Sequence, residues 1–352
     1  MALKDIIGQE KALNILRGCV RKGRIPHALL FAGDDGIGKK LTAINFAKTL
    51  NCLNVENSDS SVKSDGLFEE TELQTPNSKP QIDACDQCPS CKKIEKGNHP
   101  DVFIVGPEGD GDQIKVDAIR QLEESLSYKP FEGEYKIAII DNAEKMNQST
   151  ANAFLATLES PPAHSILIMV SSRPEMLLST IRSRCQRINF SPLPVEVMGK
   201  LLEERLKGLG HEQAMLLSIL SGGKLGYALD EDLIEARDRS FDEFKDMLVN
   251  PETEVWEDKG SMERWFDWAQ LLLRDAAVFR ATGRTDLLIN QDKENEIKEM
   301  SKKAALKDIL KLAGELHRIR RLLNFNLNKQ LTLNHTSLLL RKTLGGTAYK
   351  NS

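Results

Sequence analysis

With 352 residues, 40% of them hydrophobic, the chain is long enough for two or three domains with their own cores. Charged residues make up 28% but nearly cancel to a net charge of −4, which excludes a strongly basic nucleic-acid binder and leaves room only for local basic patches. No apolar run approaches the roughly 20 residues of a membrane span, and Met1-Ala2-Leu3-Lys4-Asp5 lacks the apolar stretch of a signal peptide, so a cytoplasmic protein with no membrane partner is expected.

Apolar spacing at Ala12, Leu13, Leu16 and Val20 predicts a helix over Gln9–Arg21. His27–Ala32 reads as a buried strand that runs into a Gly-rich turn, followed by a helix over Lys39–Leu50. Residues 53–81 are polar and low in complexity and read as a flexible insertion. Regular patterning resumes with a strand at Val102–Val105, a helix over Val116–Leu126 and an apolar strand, Lys136–Ile140, ending at Asp141. A helix over 147–159 and a strand at Ile166–Val170 complete an alternating series, which argues for an α/β domain with a mainly parallel sheet. Beyond Pro192-Leu193-Pro194 no further strand is expected. Short amphipathic helices occupy 195–230, and longer ones occupy 237–345, including 262–281 and 295–325, with a loop near Asn250-Pro251. The chain therefore divides into an α/β domain, a small helical domain and a C-terminal helical domain, with no internal repeat.

The Gly-rich turn Gly33-Asp34-Asp35-Gly36-Ile37-Gly38-Lys39-Lys40 fits the phosphate-loop pattern G-x-x-x-x-G-K-[S/T] except at its last position. Gly33, Gly36, Gly38 and Lys39 can cradle phosphates on backbone N–H groups at a helix N-terminus. Lys40 supplies an ammonium where a hydroxyl would ligate Mg²⁺, so ATP binding is doubtful and its hydrolysis more so. Asp141, at the end of an apolar strand, suits a Mg²⁺-binding carboxylate as well as it suits a loop cap. The next residue is Asn142, whose amide can hydrogen-bond a water but cannot take its proton. Glu144, two residues further on, does not occupy that place. Arg184, in Ser183-Arg184-Cys185, reads either as a solvated surface residue or as an arginine finger that spreads its charge over a neighbouring subunit's γ-phosphate. Cys185 reads as a packed thiol, and Lys311 with His317-Arg318-Ile319-Arg320-Arg321 as a solvated helix face or a contact for DNA or a partner.

Six cysteines in a reducing compartment point to metal or buried thiols. Cys85, Cys88 and Cys91, joined by Cys52, can form a tetrahedral S₄ zinc site. An iron–sulfur cluster and free thiols are the alternatives; ferredoxin-type spacing would call for another Cys near Glu95 and a following Pro, and neither is present. His99 reads as a structural residue and Cys19 as part of the core.

Taken in order, these pieces resemble the AAA+ subunits of the bacterial DNA polymerase III clamp loader. The resemblance rests on Ile7-Gly8-Gln9-Glu10, Pro26-His27-Ala28-Leu29-Leu30-Phe31, the four-cysteine module, and Ile114-Lys115-Val116 with Ile119-Arg120. It continues through Asn152-Ala153-Phe154-Leu155, Thr157-Leu158-Glu159-Ser160-Pro161-Pro162 and Thr180-Ile181-Arg182-Ser183-Arg184-Cys185-Gln186, and ends with Asn326-Leu327-Asn328-Lys329-Gln330-Leu331. It is dense over 1–190 and thinner afterwards. It implies an AAA+ P-loop domain over 1–190, a helical lid over 191–235 and an all-α collar over 236–352, with collars packed into a ring of five. It also implies ATP at subunit boundaries, Arg184 as a finger acting in trans, and Ser171 or Ser172 as the first phosphate sensor. The implied partners are the gamma/tau and delta subunits, the sliding clamp and primed DNA. The departures are Lys40, Asn142 and Gly226, the last standing where active members place a phosphate-sensing Arg; Ala156 and Ser160 also replace the usual Lys and Glu. That pattern implies a non-hydrolysing stator of the delta prime kind. An ATP-hydrolysing gamma/tau-type subunit and a zinc-dependent DNA-binding module are the competing readings.

Overall fold

The structure, a computed structural model, describes residues 1–54, 83–107, 113–206, 208–230, 232–250, 256–323 and 327–345. The expected insertion at 53–81 therefore lies almost wholly outside the described residues. The chain separates into two compact units, Met1–Val197 with Gly223–Gly226, and Met198–Gly222 with Tyr227–Ser352.

The first unit is built on five parallel strands: β1 (Ala28–Ala32), β2 (Val102–Val105), β3 (Lys136–Ile140), β4 (Ser165–Ser171) and β5 (Gln186–Asn189). Their order in the sheet is β2-β3-β4-β1-β5. The central three are buried along their whole length, which is why each reads as an unbroken apolar run. Successive side chains point to opposite faces of the sheet. On one face Leu29, Phe31, Ile137, Ile139 and Ile168 pack with Leu13 and Leu16 of α1 (Glu10–Arg21) and Phe46 of α2 (Lys39–Leu50). On the other, Leu30, Ala138, Ile140, Leu167 and Met169 pack with Ile119 and Leu122 of α4 (Val116–Ser127) and Phe154 and Leu158 of α5 (Gln148–Glu159).

Three short elements complete this unit. They are α3 (Pro89–Glu95), α6 (Ser179–Arg182) and β5, and none was expected from the sequence. Only Ile188 of β5 is buried, so an edge strand formed by Gln186-Arg187-Ile188-Asn189 carries no apolar run to announce it. Two buried polar residues fix the approach to β3. Asn51 Oδ1 accepts the N–H groups of Glu134 and Tyr135, both at 3.0 Å. Asp101, with no exposed surface, accepts those of Phe131, Glu132 and Gly133 at 2.7–2.8 Å.

The second unit is helical. Helix α7 (Val195–Arg205) leads into it, followed by α8 (His211–Leu220), α9 (Leu225–Asp230), α10 (Leu233–Val249), α11 (Lys259–Thr282), α12 (Glu294–Lys303), α13 (Leu306–Leu322) and α14 (Lys329–Leu344). Helix α10 runs without a break through the boundary expected at residues 235–236. Helix α11 starts in a capping box between Asp258 and Ser261 and stops at Gly283, whose φ of +69° suits a left-handed C-terminal cap. Trp256, Trp265, Phe266 and Phe244 form an aromatic core with ring centroids 5.1–6.0 Å apart. The single helix expected over 295–325 is two helices, α12 and α13, because Ala304 is extended (φ −141°, ψ 157°) and stops the first. Among the described residues no helix is long and apolar enough to cross a membrane.

Candidate functional site

The phosphate-loop pattern folds as the strand, loop and helix that such a site needs. Gly33 leaves β1 with φ +152°, and a Cβ there would lie 2.6 Å from the Phe190 carbonyl oxygen. Gly38, at φ +90°, caps α2 in a left-handed conformation. Lys39 is 4% exposed; its ammonium donates to the Asp34 carbonyl and lies 3.8 Å from Asp35. Burial pushes that ammonium below its ordinary value, against the opposing pull of Asp35, Glu144, Asp141 and Asp34.

Lys40 and Asp141 meet. Nζ of Lys40 is 2.8 Å from Oδ2 of Asp141, which brings together the two positions that would share the metal in an active site. These residues do not fit Mg²⁺: the strand-end carboxylate is bonded to an ammonium, and position 40 offers no oxygen ligand. Asn142 takes the left-handed conformation at φ +49°, which asparagine tolerates better than most residues. Ser171 is buried, and Ser172 donates through both its N–H (3.1 Å) and its hydroxyl (2.5 Å) to Oε1 of Glu144. Burial raises the Glu144 carboxyl, but hydrogen bonds from Ser172 and Ser171 outweigh it and hold the group below its usual range. Glu144 thus faces Ser172, one of the two serines expected at the sensor position, a pairing that no spacing in the sequence announces. Gly226 N–H donates to the Gly36 carbonyl at 2.9 Å, and Lys224 lies 3.5 Å from Asp34.

Arg184 is 37% exposed on the turn after α6. Its Nη1 donates to the Thr180 carbonyl at 2.9 Å and its Nη2 to Glu159 at 2.7 Å. Cys185 behaves as a packed thiol: it donates to the Ile181 carbonyl, and burial pushes it up to about 12. Part of the basic run on α13 is engaged within its own unit. Arg320 pairs with Asp267 and Glu263 of α11, Arg318 with Glu315, and Ile319 is buried.

The four cysteines converge, with all Sγ atoms within 4.8 Å of one another. Tetrahedral Zn–S bonds of about 2.3 Å would place sulfurs roughly 3.8 Å apart, so the cluster could hold a metal ion after a small contraction. Local backbone shapes it. Cys85 N–H donates to Cys52 Sγ (3.4 Å), Cys88 N–H to Cys85 Sγ (3.3 Å) and Cys91 N–H to Cys88 Sγ (3.4 Å). Cys88 caps α3 and Pro89 opens it. Burial opposes ionisation of Cys85, yet N–H groups of Gln87 and Cys88 and contacts with the Cys52 and Cys88 thiols bring it down to about 6. His99 stands apart from the cluster as a structural residue. Ser90 Oγ donates to the Asn51 carbonyl, so it accepts from His99 Nε2–H, and Nδ1 accepts from Asp101 N–H. Both ring nitrogens are used, and burial keeps the ring neutral by lowering its pKa.

Two family descriptions cover most of the chain. "DNA polymerase III, delta subunit" matches residues 8–74 and 70–194, and "DNA polymerase III, delta subunit, C terminal" matches 241–342. The chain belongs to this family of clamp-loader proteins. The delta' subunit of DNA polymerase III from Bacillus subtilis (strain 168) is 27% identical over 348 residues, 95% of this chain and 96% of that one. The delta' subunit from Pseudomonas aeruginosa is 33% identical over 200 residues, 56% of this chain and 53% of that one. The tau subunit from Salmonella typhimurium is 33% identical over 230 residues, 64% of this chain but only 32% of tau. This chain carries the converging cysteines and the parallel sheet, and Lys40 and Asn142 stand where an active ATPase site would need a hydroxyl and a base.

Proposed function

We propose that this chain is a delta prime-type subunit of the DNA polymerase III clamp loader. It hydrolyses no ATP itself and supplies Arg184 to a neighbouring ATPase subunit. The supporting relative is the Bacillus subtilis delta' subunit, similar along almost the whole of both chains. The observation that carries the non-hydrolysing reading is the Lys40–Asp141 ion pair, which places an ammonium on the carboxylate expected to bind metal. Asn142 then leaves no base beside it. Arg184 keeps the opposite character. It is exposed, it sits on a short turn anchored by the buried Ile181, and its exposed partner Glu159 contributes little to holding it in water. A guanidinium released from such a pair can spread charge over the oxygens of a transferring phosphoryl group.

In this reading residues 1–190 form the nucleotide-type domain, 191–235 a lid and 236–352 a collar for assembly with gamma/tau and delta subunits. The assembly works on a sliding clamp and primed DNA in the cytoplasm. Cys52, Cys85, Cys88 and Cys91 hold zinc, for which an all-thiolate tetrahedral donor set is suited. The zinc is structural: four protein ligands leave no open position for a water or substrate. The gamma/tau-type reading is favoured by the likeness to tau over 230 residues and opposed by Lys40 and Asn142.

The test is ATP hydrolysis by the reconstituted loader with clamp and primed DNA. The isolated chain is expected to be silent, and Arg184→Ala to lower the complex's rate by ~10³-fold or more while assembly persists. Turnover by the isolated chain, or an intact Arg184→Ala complex at full rate, overturns the proposal.

A further inference from the structure

The geometry points to a tethered cation: the Lys40 ammonium takes the place of the metal ion at Asp141, and the phosphate loop is held shut by the chain's own groups, without Mg²⁺ or nucleotide. The inference builds on the phosphate-loop half of the proposed function and adds what now fills that site.

An active site of this build joins the second residue of its helix to the strand-end carboxylate through a hydrated divalent ion. Here the same two positions are joined directly, Lys40 Nζ to Asp141 Oδ2 at 2.8 Å. The four-carbon stem of lysine spans a gap that a serine or threonine hydroxyl would leave for the ion. A divalent cation placed beside Asp141 would have to displace the tethered Lys40 ammonium, so the two compete for the same carboxylate.

The other groups that would face a triphosphate are committed as well. Lys39 is turned back onto Asp34 and Asp35 of its own loop. Ser172, one of the two serines expected at the sensor position, gives both of its donors to Glu144. The segment Gly223–Gly226, which belongs to the first unit, lies directly against the loop, with Gly226 N–H bonded to the Gly36 carbonyl at 2.9 Å. A Cβ at Gly226 would come within 3.2 Å of both Gly36 Cα and its oxygen. Any larger residue there, an arginine included, requires the two backbones to give by a few tenths of an ångström. The glycine at this position therefore does more than remove a sensing charge; it lets the segment close on the loop.

Four independent contacts thus replace what metal and nucleotide do elsewhere. The Lys40–Asp141 pair ties the start of α2 to the end of β3, the span that Mg²⁺ bridges in an active site.

The test uses the isolated full chain, its cysteine site loaded, in three forms: wild type, Lys40→Thr and Lys40→Thr with Asp141→Asn. Binding of ADP is measured by calorimetry with and without Mg²⁺, and Mn²⁺ binding by electron paramagnetic resonance. Wild type is expected to show neither Mg²⁺-dependent ADP binding nor a bound Mn²⁺ signal. Lys40→Thr is expected to gain at least ~10-fold in Mg²⁺-dependent affinity and a Mn²⁺ signal, and Asp141→Asn to remove both gains. Lys40→Ser supplies the same hydroxyl should the threonine variant fold poorly. Mg²⁺-dependent ADP binding by wild type overturns the inference, and so does a folded Lys40→Thr or Lys40→Ser that binds no better than wild type. Arg184 is read only in the assembled complex, so either proposal can fail while the other stands.

Discussion

Asp101 is a buried residue whose loss should be costly to the frame around the candidate site. Its Oδ1 accepts from Phe131 N–H (2.8 Å), its Oδ2 from Glu132 and Gly133 N–H (2.7 and 2.8 Å), and Lys136 Nζ lies 3.7 Å away. Asp101→Asn keeps the shape but turns one oxygen into a donor. Whichever way the amide sits, at least one N–H loses its acceptor, which costs about 1–3 kcal/mol. Lys136, with a side chain 8% exposed, also loses its countercharge. The face of Phe103, 5.3 Å from its ammonium, offsets part of that. The net expectation is a loss of about 2–4 kcal/mol, equivalent to a roughly 30- to 900-fold drop in amide protection across β3. Hydrogen exchange of peptides spanning 131–140, with urea unfolding followed by far-UV circular dichroism, reads it. All three tryptophans lie at 256, 265 and 268 in the second unit, so their fluorescence serves as an internal control. Burial raises the Asp101 carboxyl, but the three backbone N–H groups and Lys136 hold it below its ordinary range. A depressed carboxylate contributes stability that is present above its unfolded pKa and lost as pH falls through the folded one, so the variant's deficit should shrink in acid. An Asp101→Asn protein whose β3 protection is unchanged at neutral pH would refute the assignment of those hydrogen bonds to this side chain.

Cys88→Ser should abolish stoichiometric metal, measured by elemental analysis, and lower the melting temperature by several degrees, because one of four converging ligands is lost. Glu243 is pushed up to about 7 by burial and by Asp246 and Glu257, against the pull of Arg239. A raised carboxyl contributes stability that is full below its ordinary 4.5 and lost as pH rises through about 7. Tryptophan-detected unfolding of Glu243→Gln should accordingly lose less stability than wild type over that interval. Gly33→Ala forces a Cβ to 2.6 Å from the Phe190 carbonyl oxygen at a backbone angle that side chains rarely take. A cost of roughly 1–3 kcal/mol, seen as a lowered urea midpoint, is expected.

The central strands and the glycine turn were legible because full burial on both faces leaves unbroken apolar runs, and because Gly33 and Gly38 occupy backbone conformations that need glycine. Strand β5 was not, since Ile188 alone faces the core. The break between α12 and α13 falls on Ala304-Ala305, two good helix formers, so composition hides it. A subtler signal exists: the buried stripe of Ile297 and Met300 and that of Ile309, Leu312 and Leu316 differ in phase by roughly a third of a turn at 100° per residue. At the site, position 40 showed that a hydroxyl was missing but not what the lysine does instead. That depends on Asp141, which is 101 positions away in sequence yet in contact through strand order. The Glu144–Ser172 pair and the Glu159–Arg184 pair are long-range contacts of the same kind, visible only once the sheet is assembled.

The strand order β3-β4-β1 has a further consequence. Asp141, Ser171 and Gly33 end or follow three adjacent strands spaced about 4.8 Å apart, so their mutual placement is set by the hydrophobic core beneath them. The core must persist for the protein to fold at all, whereas the reactive side chains on its rim are free to change. Chemistry and scaffold are therefore under separate constraints in this chain: a side chain on the rim can change without disturbing the core that places it.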